Sequence, residues 1–317
     1  MSTFVTIRVK RAAWSIAAVV TGASALSGCA TSATLGSAGA TLGGSPRTVQ
    51  VVVAENFWGS IAAQIGGAHA NVVSIITNPN TDPHQYEPTS VDARNLAAAR
   101  LVVANGIGYD PWVPKLLAAD DTNPTLLDVG AVLGIGPGGN PHRWYNPTDV
   151  QKVVDRLVAD FQKLDPADGA YFAAQRAAFN TVALAAYHRV IADIRARYAG
   201  VPVGASESIF SMLAPSLGLK VVTPYAFLRA VSEGTDVSAA DKTTIDDQIK
   251  NRLIKIYVYN SQNTTPDVQA QLAECKAAGI PTATITETMQ PSNTTYQAWQ
   301  TGQLLGIQAA LRKALGR

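Results

Sequence analysis

The chain has 317 residues, 47% hydrophobic and 15% charged, with two cysteines and a formal net charge of +2. That length suggests about two domains of roughly 150 residues, and the apolar content supplies buried cores and excludes global disorder. The charge gives no case for a nucleic-acid partner, which calls for a concentrated basic patch, and two cysteines make neither a disulfide framework nor a four-cysteine zinc site.

The first segment is an address. Arg8, Lys10 and Arg11 form a basic start, and no charge follows from Ala12 to Leu26. The apolar run is too short and too rich in small residues for a membrane span of ~20 residues, so it reads as a secretory signal. It ends in Leu26-Ser27-Gly28-Cys29, which resembles a bacterial lipobox and implies cleavage before Cys29 and lipid on its sulfur. Removing residues 1–28 discards three basic side chains and no acid, which takes the formal charge from +2 to −1. Residues 29–47, rich in Gly, Ser, Ala and Thr, then form a flexible tether.

From Val49 onward, short apolar runs alternate with helical spacing. Strands are expected at Val49–Ala54, Val72–Thr77, Leu101–Asn105 and Leu126–Val129, with helices at Phe57–Gly66, Thr89–Ala99 and Trp112–Ala119. A long helical stretch is expected from about Asp165 to Ala199, and a helix of ~30 residues is ~45 Å long at 1.5 Å per residue. Its apolar stripe is Phe172, Phe179, Val182, Ala186, Val190, Ile194 and Tyr198. The alternation then resumes with strands at Val201–Ala205, Lys220–Thr223, Lys255–Tyr259 and Thr282–Thr286. Helices are expected at Ile209–Leu217, Thr243–Asn251, Pro266–Ala278 and Thr295–Ala314. The pattern predicts an α/β protein: a βα lobe over 48–164, a spine helix over 165–199 and a second βα lobe over 200–317, with mainly parallel sheets.

Several motifs carry little chemistry. Gly134–Gly139 matches G-x-G-x-x-G, but Pro137 and the following Asn140-Pro141 make it a loop rather than a helix start. Ser206 follows a strand and precedes a helix, yet the second glycine of a nucleophile elbow and a later histidine are both missing. Cys275, within a helix, reads as a packed lone thiol. Of the four histidines, His69 reads as an exposed turn residue. His188 lies ~200° around the helix from its stripe neighbours and reads as solvated.

His84 and His142 stand in matched settings. Asp82-Pro83-His84-Gln85-Tyr86-Glu87-Pro88 and Asn140-Pro141-His142-Arg143-Trp144-Tyr145-Asn146-Pro147 both read Pro-His-x-aromatic with a second proline behind. Both follow an expected strand, and loops at the carboxyl ends of parallel strands form the ligand crevice. Spacing alone leaves two readings open, a shared metal site and a pair of structural turn histidines.

These segments resemble the zinc/manganese solute-binding family of bacterial ABC importers, which includes adhesin-like lipoproteins. Asp82–Pro88 matches the family's D-P-H-x-Y-E-P in full, Leu101–Gly106 with Trp112 resembles its next segment, and Asn140–Pro147 resembles its D-P-H-x-W-x-D-P with Asn140 and Asn146 in place of the acids. The resemblance implies two further ligands from the second lobe, Glu207 and Glu287, and hence a Zn²⁺ or Mn²⁺ ion in the interlobe cleft on His84, His142, Glu207 and Glu287. Two neutral imidazoles and two carboxylates balance a divalent cation, and the absence of thiolate disfavours Cu(I).

The expectation is therefore a monomeric receptor outside the cytoplasm, not an enzyme, anchored to the cell membrane through Cys29 and delivering Zn²⁺ or Mn²⁺ to the membrane subunits of an ABC permease. Two alternatives use the same residues. One is a metallohydrolase with two histidines, one carboxylate and an open coordination position. The other is a lipid-anchored adhesin or binder of a metal chelate, its cleft lined by Trp58, Tyr86, Trp112, Trp144 and Tyr225.

Overall fold

The structure is a computed structural model that describes residues 48–119 and 121–316. The signal segment, the tether and Cys29 lie outside the described residues. No helix among the described residues is long and apolar enough to cross a membrane.

Two four-stranded parallel sheets organise the chain. The first contains β1 (Val49–Glu55), β2 (Ala70–Ile76), β3 (Leu101–Ala104) and β4 (Thr125–Asp128) in the order β2-β1-β3-β4. Val52 of β1 stands opposite Val73 on one side and Val102 on the other. β1 is buried almost throughout because helices cover both faces, as an all-parallel sheet requires. Side chains alternate between faces: Val49, Val51 and Val53 join the large core, while Val52 and Ala54 join a smaller one with Leu96, Trp112 and Val113. The intervening helices are α1 (Asn56–Gly66), α2 (Ser90–Ala98), α3 (Trp112–Ala118) and α4 (Val129–Leu133).

The second sheet repeats this plan. β5 (Pro202–Ala205), β6 (Lys220–Val221), β7 (Tyr257–Asn260) and β8 (Thr282–Ile285) pair in parallel in the order β6-β5-β7-β8. In each sheet the strand order reverses direction once, beside β1 and beside β5, and such switch points are where open parallel sheets offer a crevice.

Between the sheets run three helices. α5 (Pro147–Leu164) goes beyond the elements expected from the sequence. Val150, Val153, Val154, Leu157, Val158 and Phe161 form its buried stripe at helical spacing. Asn146 caps its first turn by accepting from the Thr148 and Asp149 amides, and Pro147 stands at the first helical position, where its missing N–H costs nothing. The expected spine helix from Asp165 is not continuous. Asp165 ends α5, a 3₁₀ turn fills Pro166–Asp168, and α6 (Gly169–Ala178) passes through one wide turn, Phe179–Ala183, into α7 (Ala185–Tyr198).

In that wide turn the Leu184 amide bonds the Phe179 carbonyl five residues back at 2.9 Å. Such a turn holds one residue more than an α-helix and shifts the following face by one position. The expected stripe therefore breaks. Val182 is 73% exposed and Ala186 is exposed, while Leu184 and Tyr187 are buried at 1% each. His188, expected on the solvated face, is half-buried for the same reason.

The second lobe is completed by α8 (Ser208–Leu217), α9 (Tyr225–Ser232), α10 (Ala239–Lys250), α11 (Pro266–Ala278) and α12 (Tyr296–Leu315). α9, like α5, is absent from the elements read off the sequence. Cys275 is buried in α11 with no disulfide partner among the described residues, and burial, then Glu274 beside it, pushes its thiol up to about 12. One hydrophobic core runs through both lobes, from Val51 and Phe57 to Phe210 and Val258.

The shifted helix face gives a direct test. Val182→Asp should change stability by no more than about 0.5 kcal/mol, as at other exposed positions. Leu184→Ala should cost about 2–5 kcal/mol as a buried large-to-small change. Urea unfolding followed by circular dichroism distinguishes this order from the reverse.

Candidate metal centre

The expected residues all follow strands at their carboxyl ends, and three of them, His84, His142 and Glu287, meet. His84 follows β2, His142 follows β4 and α4, Glu207 follows β5 and Glu287 follows β8. His84 Nε2 and His142 Nε2 each lie 3.4 Å from Glu287 Oε1. One ligand atom from each of these three residues lies within 4.8 Å of the others. Both Nε2 atoms are buried and lack a hydrogen bond of acceptable geometry among the described residues.

Each histidine is held from behind. Asp82 Oδ1 accepts from the His84 amide at 2.9 Å, closing the short turn that Pro83 starts. Tyr86 then ties the loop to α2, its hydroxyl donating to Asp92 Oδ2 at 2.9 Å while Asp92 completes a capping box with Thr89. Asn140 Oδ1 accepts from the His142 amide at 3.0 Å and lies 2.8 Å from His142 Nδ1. That contact favours the proton on Nδ1 and turns the Nε2 lone pair to the site. Asn140 also donates through Nδ2 to the Ser208 carbonyl of the other lobe at 2.9 Å. The two asparagines that stand for acids in the second motif thus orient His142 and cap α5.

Asn105 locks the neighbouring loop. Its Oδ1 accepts from Trp58 Nε1 at 3.0 Å, and its Nδ2 donates to the Pro141 carbonyl at 3.0 Å. Gly106 follows at φ +67°, where a Cβ would stand 2.4 Å from the Asp128 carboxylate. Only glycine fits that turn.

Glu287 is the most constrained of the set. Tyr109 donates its hydroxyl to Glu287 Oε1 at 3.0 Å, and the Glu287 amide donates to Gln262 Oε1 at 2.8 Å. The preceding Thr286 accepts from the Tyr145 hydroxyl through its carbonyl at 2.6 Å and from Trp299 Nε1 through its hydroxyl at 2.8 Å. Tyr109 is a site residue that motif reading does not single out. Its signal is position alone, between the Asn105-Gly106 turn and Trp112.

Glu207 is buried but outside the close triad. Its carboxylate accepts from Asn260 Nδ2 at 3.2 and 3.4 Å. Burial, then repulsion from Glu287, raises its pKa. Burial would raise Glu287 too, but the two imidazoles outweigh it and hold that carboxyl below its ordinary range. Burial lowers His142. For His84 burial pulls down, and the Glu287 carboxylate more than compensates, so its pKa is raised.

Of the aromatics considered as a cleft lining, Trp58, Trp112 and Trp144 are buried, Tyr86 is half-buried against Trp112, and Tyr225 is exposed. Two openings reach the triad, a cavity of about 190 Å³ beside His142 and Tyr225, and one of about 310 Å³ between Asp82, Gln262 and Glu287. His69, expected as an exposed turn residue, is half-buried and pairs with Asp168 at 2.8 Å.

The fold and the site define a two-lobed α/β binding protein with imidazole and carboxylate groups converging between parallel sheets. A family described as zinc-uptake complex component A, periplasmic, matches residues 51–310, and the chain belongs to it. This is a family of zinc/manganese ABC-transporter substrate-binding proteins, not of enzymes. The chain is 26% identical over 239 residues to a zinc-binding lipoprotein of Streptococcus pneumoniae, covering 69% of this chain and 46% of that one. It is 26% identical over 127 residues to a manganese-binding lipoprotein of Halalkalibacterium halodurans, covering 38% and 41%. The chain thus spans about half the length of the curated relatives it matches. The fold is shared with the SBP FpvC of Pseudomonas aeruginosa in complex with Mn²⁺, at TM-score 0.68 and 18% identity over 84% of this chain and 99% of that one.

Glu55 and Asp110 form a buried acid pair near Tyr109. Burial, then Asp110 beside it, raises Glu55 well above the ordinary carboxyl range. Burial lifts Asp110 to about 6, although the Asn105 and Gly106 amides donate to it at 2.7 and 2.8 Å. Folded Glu55 therefore keeps its proton where the unfolded chain has lost it, and this group makes stability fall as pH rises above about 4.5. Glu55→Gln removes that penalty. Its urea midpoint should exceed that of the wild type at pH 7, with the difference shrinking toward pH 4.

Proposed function

We propose that the protein captures a bare divalent transition metal, Zn²⁺ or Mn²⁺, outside the cytoplasm and delivers it to an ABC permease. The observation that carries this is the convergence of two buried, unpartnered imidazole nitrogens on one buried carboxylate oxygen. Buried polar atoms without partners are costly, and a divalent cation is the species that two neutral imidazoles and a carboxylate satisfy together. His84, His142 and Glu287 hold the ion. Glu207 supplies the fourth group and brings the ligand charge to −2.

The size of the openings supports a bare ion over a chelate. Cavities of about 190 and 310 Å³ stand at or below the lower end of the ~300–1,000 Å³ that organic ligands occupy. Four protein ligands also leave little room for an activated water, which separates a carrier from a metallohydrolase. Cys29 anchors the mature, monomeric chain to the cell membrane by its lipid, with residues 29–47 as tether.

Calorimetry on demetallated protein tests the site. His84→Ala, His142→Ala and Glu287→Ala should each abolish high-affinity binding of Zn²⁺ and Mn²⁺. Tyr109→Phe, which touches a ligand but not the ion, should weaken it about 10–100-fold. Full affinity in Glu207→Ala would remove that residue from the set. For the anchor, Cys29→Ala should move the protein from the membrane fraction to the soluble one.

A further inference from the structure

We infer a second divalent-cation site, remote from the cleft triad, on His69, Asp165 and Asp168. Their ligand atoms lie within 4.8 Å of one another. Around a tetrahedral ion with bonds of ~2.0–2.2 Å, ligand atoms stand about 3.3–3.6 Å apart, so side-chain rotations on the order of an ångström close the set. His69 Nδ1 and Asp168 Oδ2 are at hydrogen-bond distance, 2.8 Å apart, and part by roughly half an ångström to flank an ion.

The local structure builds this arrangement in ways an ordinary ion pair does not need. Asp168 occupies the N-cap position of α6 but makes no side-chain cap bond, although aspartate ordinarily accepts from the first-turn amides there. Its carboxylate turns to His69 instead. Asp165, at the end of α5, brings a carboxylate oxygen within 4.8 Å of a His69 ring nitrogen, and no cationic side chain or hydrogen-bond donor is paired with its carboxylate among the described residues. One histidine neutralises one carboxylate at most, whereas a divalent cation neutralises both.

The imidazole is also preset. The His69 ring packs on Tyr171 at 4.3 Å between centroids and edge-on to Phe172 at 5.9 Å. Tyr171 in turn accepts from the Ala68 amide at 3.2 Å. Gly67, at φ +50°, leaves room for that hydroxyl, which a Cβ would meet at 2.1 Å. All three candidate ligands are half-buried, so water completes the coordination. One nitrogen and two oxygen donors suit Zn²⁺ or a neighbouring first-row divalent ion. A bound ion there staples the turn between α1 and β2 to the corner between α5 and α6.

The test uses Zn²⁺ on the demetallated full chain, with stoichiometry read by calorimetry and by elemental analysis after gel filtration. The wild type should take up two equivalents, and a His84→Ala, His142→Ala double variant should keep one. Asp165→Asn or His69→Gln on that background should lose the remaining one, and either change alone should leave one equivalent in the otherwise wild-type chain. Diffraction at the zinc absorption edge should place the second ion beside His69. Uptake of a single equivalent that disappears in the double variant overturns the inference. So does a second equivalent that survives both Asp165→Asn and His69→Gln. Loss of binding in His69→Gln with retention in the double variant would instead count against the cleft, so the two readings fail separately.

Discussion

The arrangement depends on one buried carboxylate. Glu287 Oε1 faces two imidazole nitrogens and a tyrosine hydroxyl at once. Taking an ionised carboxylate out of water costs several kcal/mol unless positive charge or donors repay it. Tyr109 gives one donor, and the imidazoles give the rest only in so far as they carry protons on Nε2. A divalent cation resolves that shortage without protons. The backbone around Glu287 is accordingly fixed by both lobes: Tyr145 comes from the His142 segment, Gln262 from the loop after β7, and Trp299 from α12.

The same contacts bear on motion. The aromatic chain from Phe57 through Trp144 and Tyr145 to Trp299 and Tyr296 is buried and continuous, starting with a 3.9 Å stack between Phe57 and Trp144. Tyr296 donates to the Trp144 carbonyl at 2.6 Å across the lobes. A large apolar interface of this kind resists the hinge motion that small polar interfaces allow. Under the proposed function, release has to come from loops. His142 is sealed, with 1% of its side chain exposed, whereas His84 shows 23% and rests on a short turn tied by Asp82 and Tyr86.

How much of this the sequence discloses follows from what each signal measures. The eight strands stand out because apolar runs bounded by turn residues report burial directly, and Asp82–Pro88 stands out because its chemistry is local. Glu287 comes from family resemblance, since a lone acid after a strand has no pattern of its own. The wide turn at Phe179–Ala183 is invisible because one inserted residue leaves composition unchanged while moving Ala186 out and Tyr187 in. α5 is legible in principle, since its stripe from Val150 to Phe161 is complete at helical spacing behind the Asn146-Pro147 cap, and pairing with Arg143 and Arg156 permits the burial of Asp149 and Asp160 beside it. Tyr109 and Asn140 act through partners distant in sequence, Glu287 and Ser208.

The second motif's asparagine has an electrostatic consequence for the proposed ligand set. A carboxylate behind a histidine ligand raises its basicity, and a neutral amide does so less. Asn140 therefore adds little to His142, whose pKa burial already lowers, so this imidazole stays neutral and meets a metal ion without proton competition. His84 differs, because the Glu287 carboxylate raises its pKa. Metal binding displaces a proton wherever a ligand is protonated, so in the proposed set uptake by the empty site meets more proton competition at His84 than at His142. Proton competition and exposure thus single out the same member of the proposed set, His84 on the turn between β2 and α2.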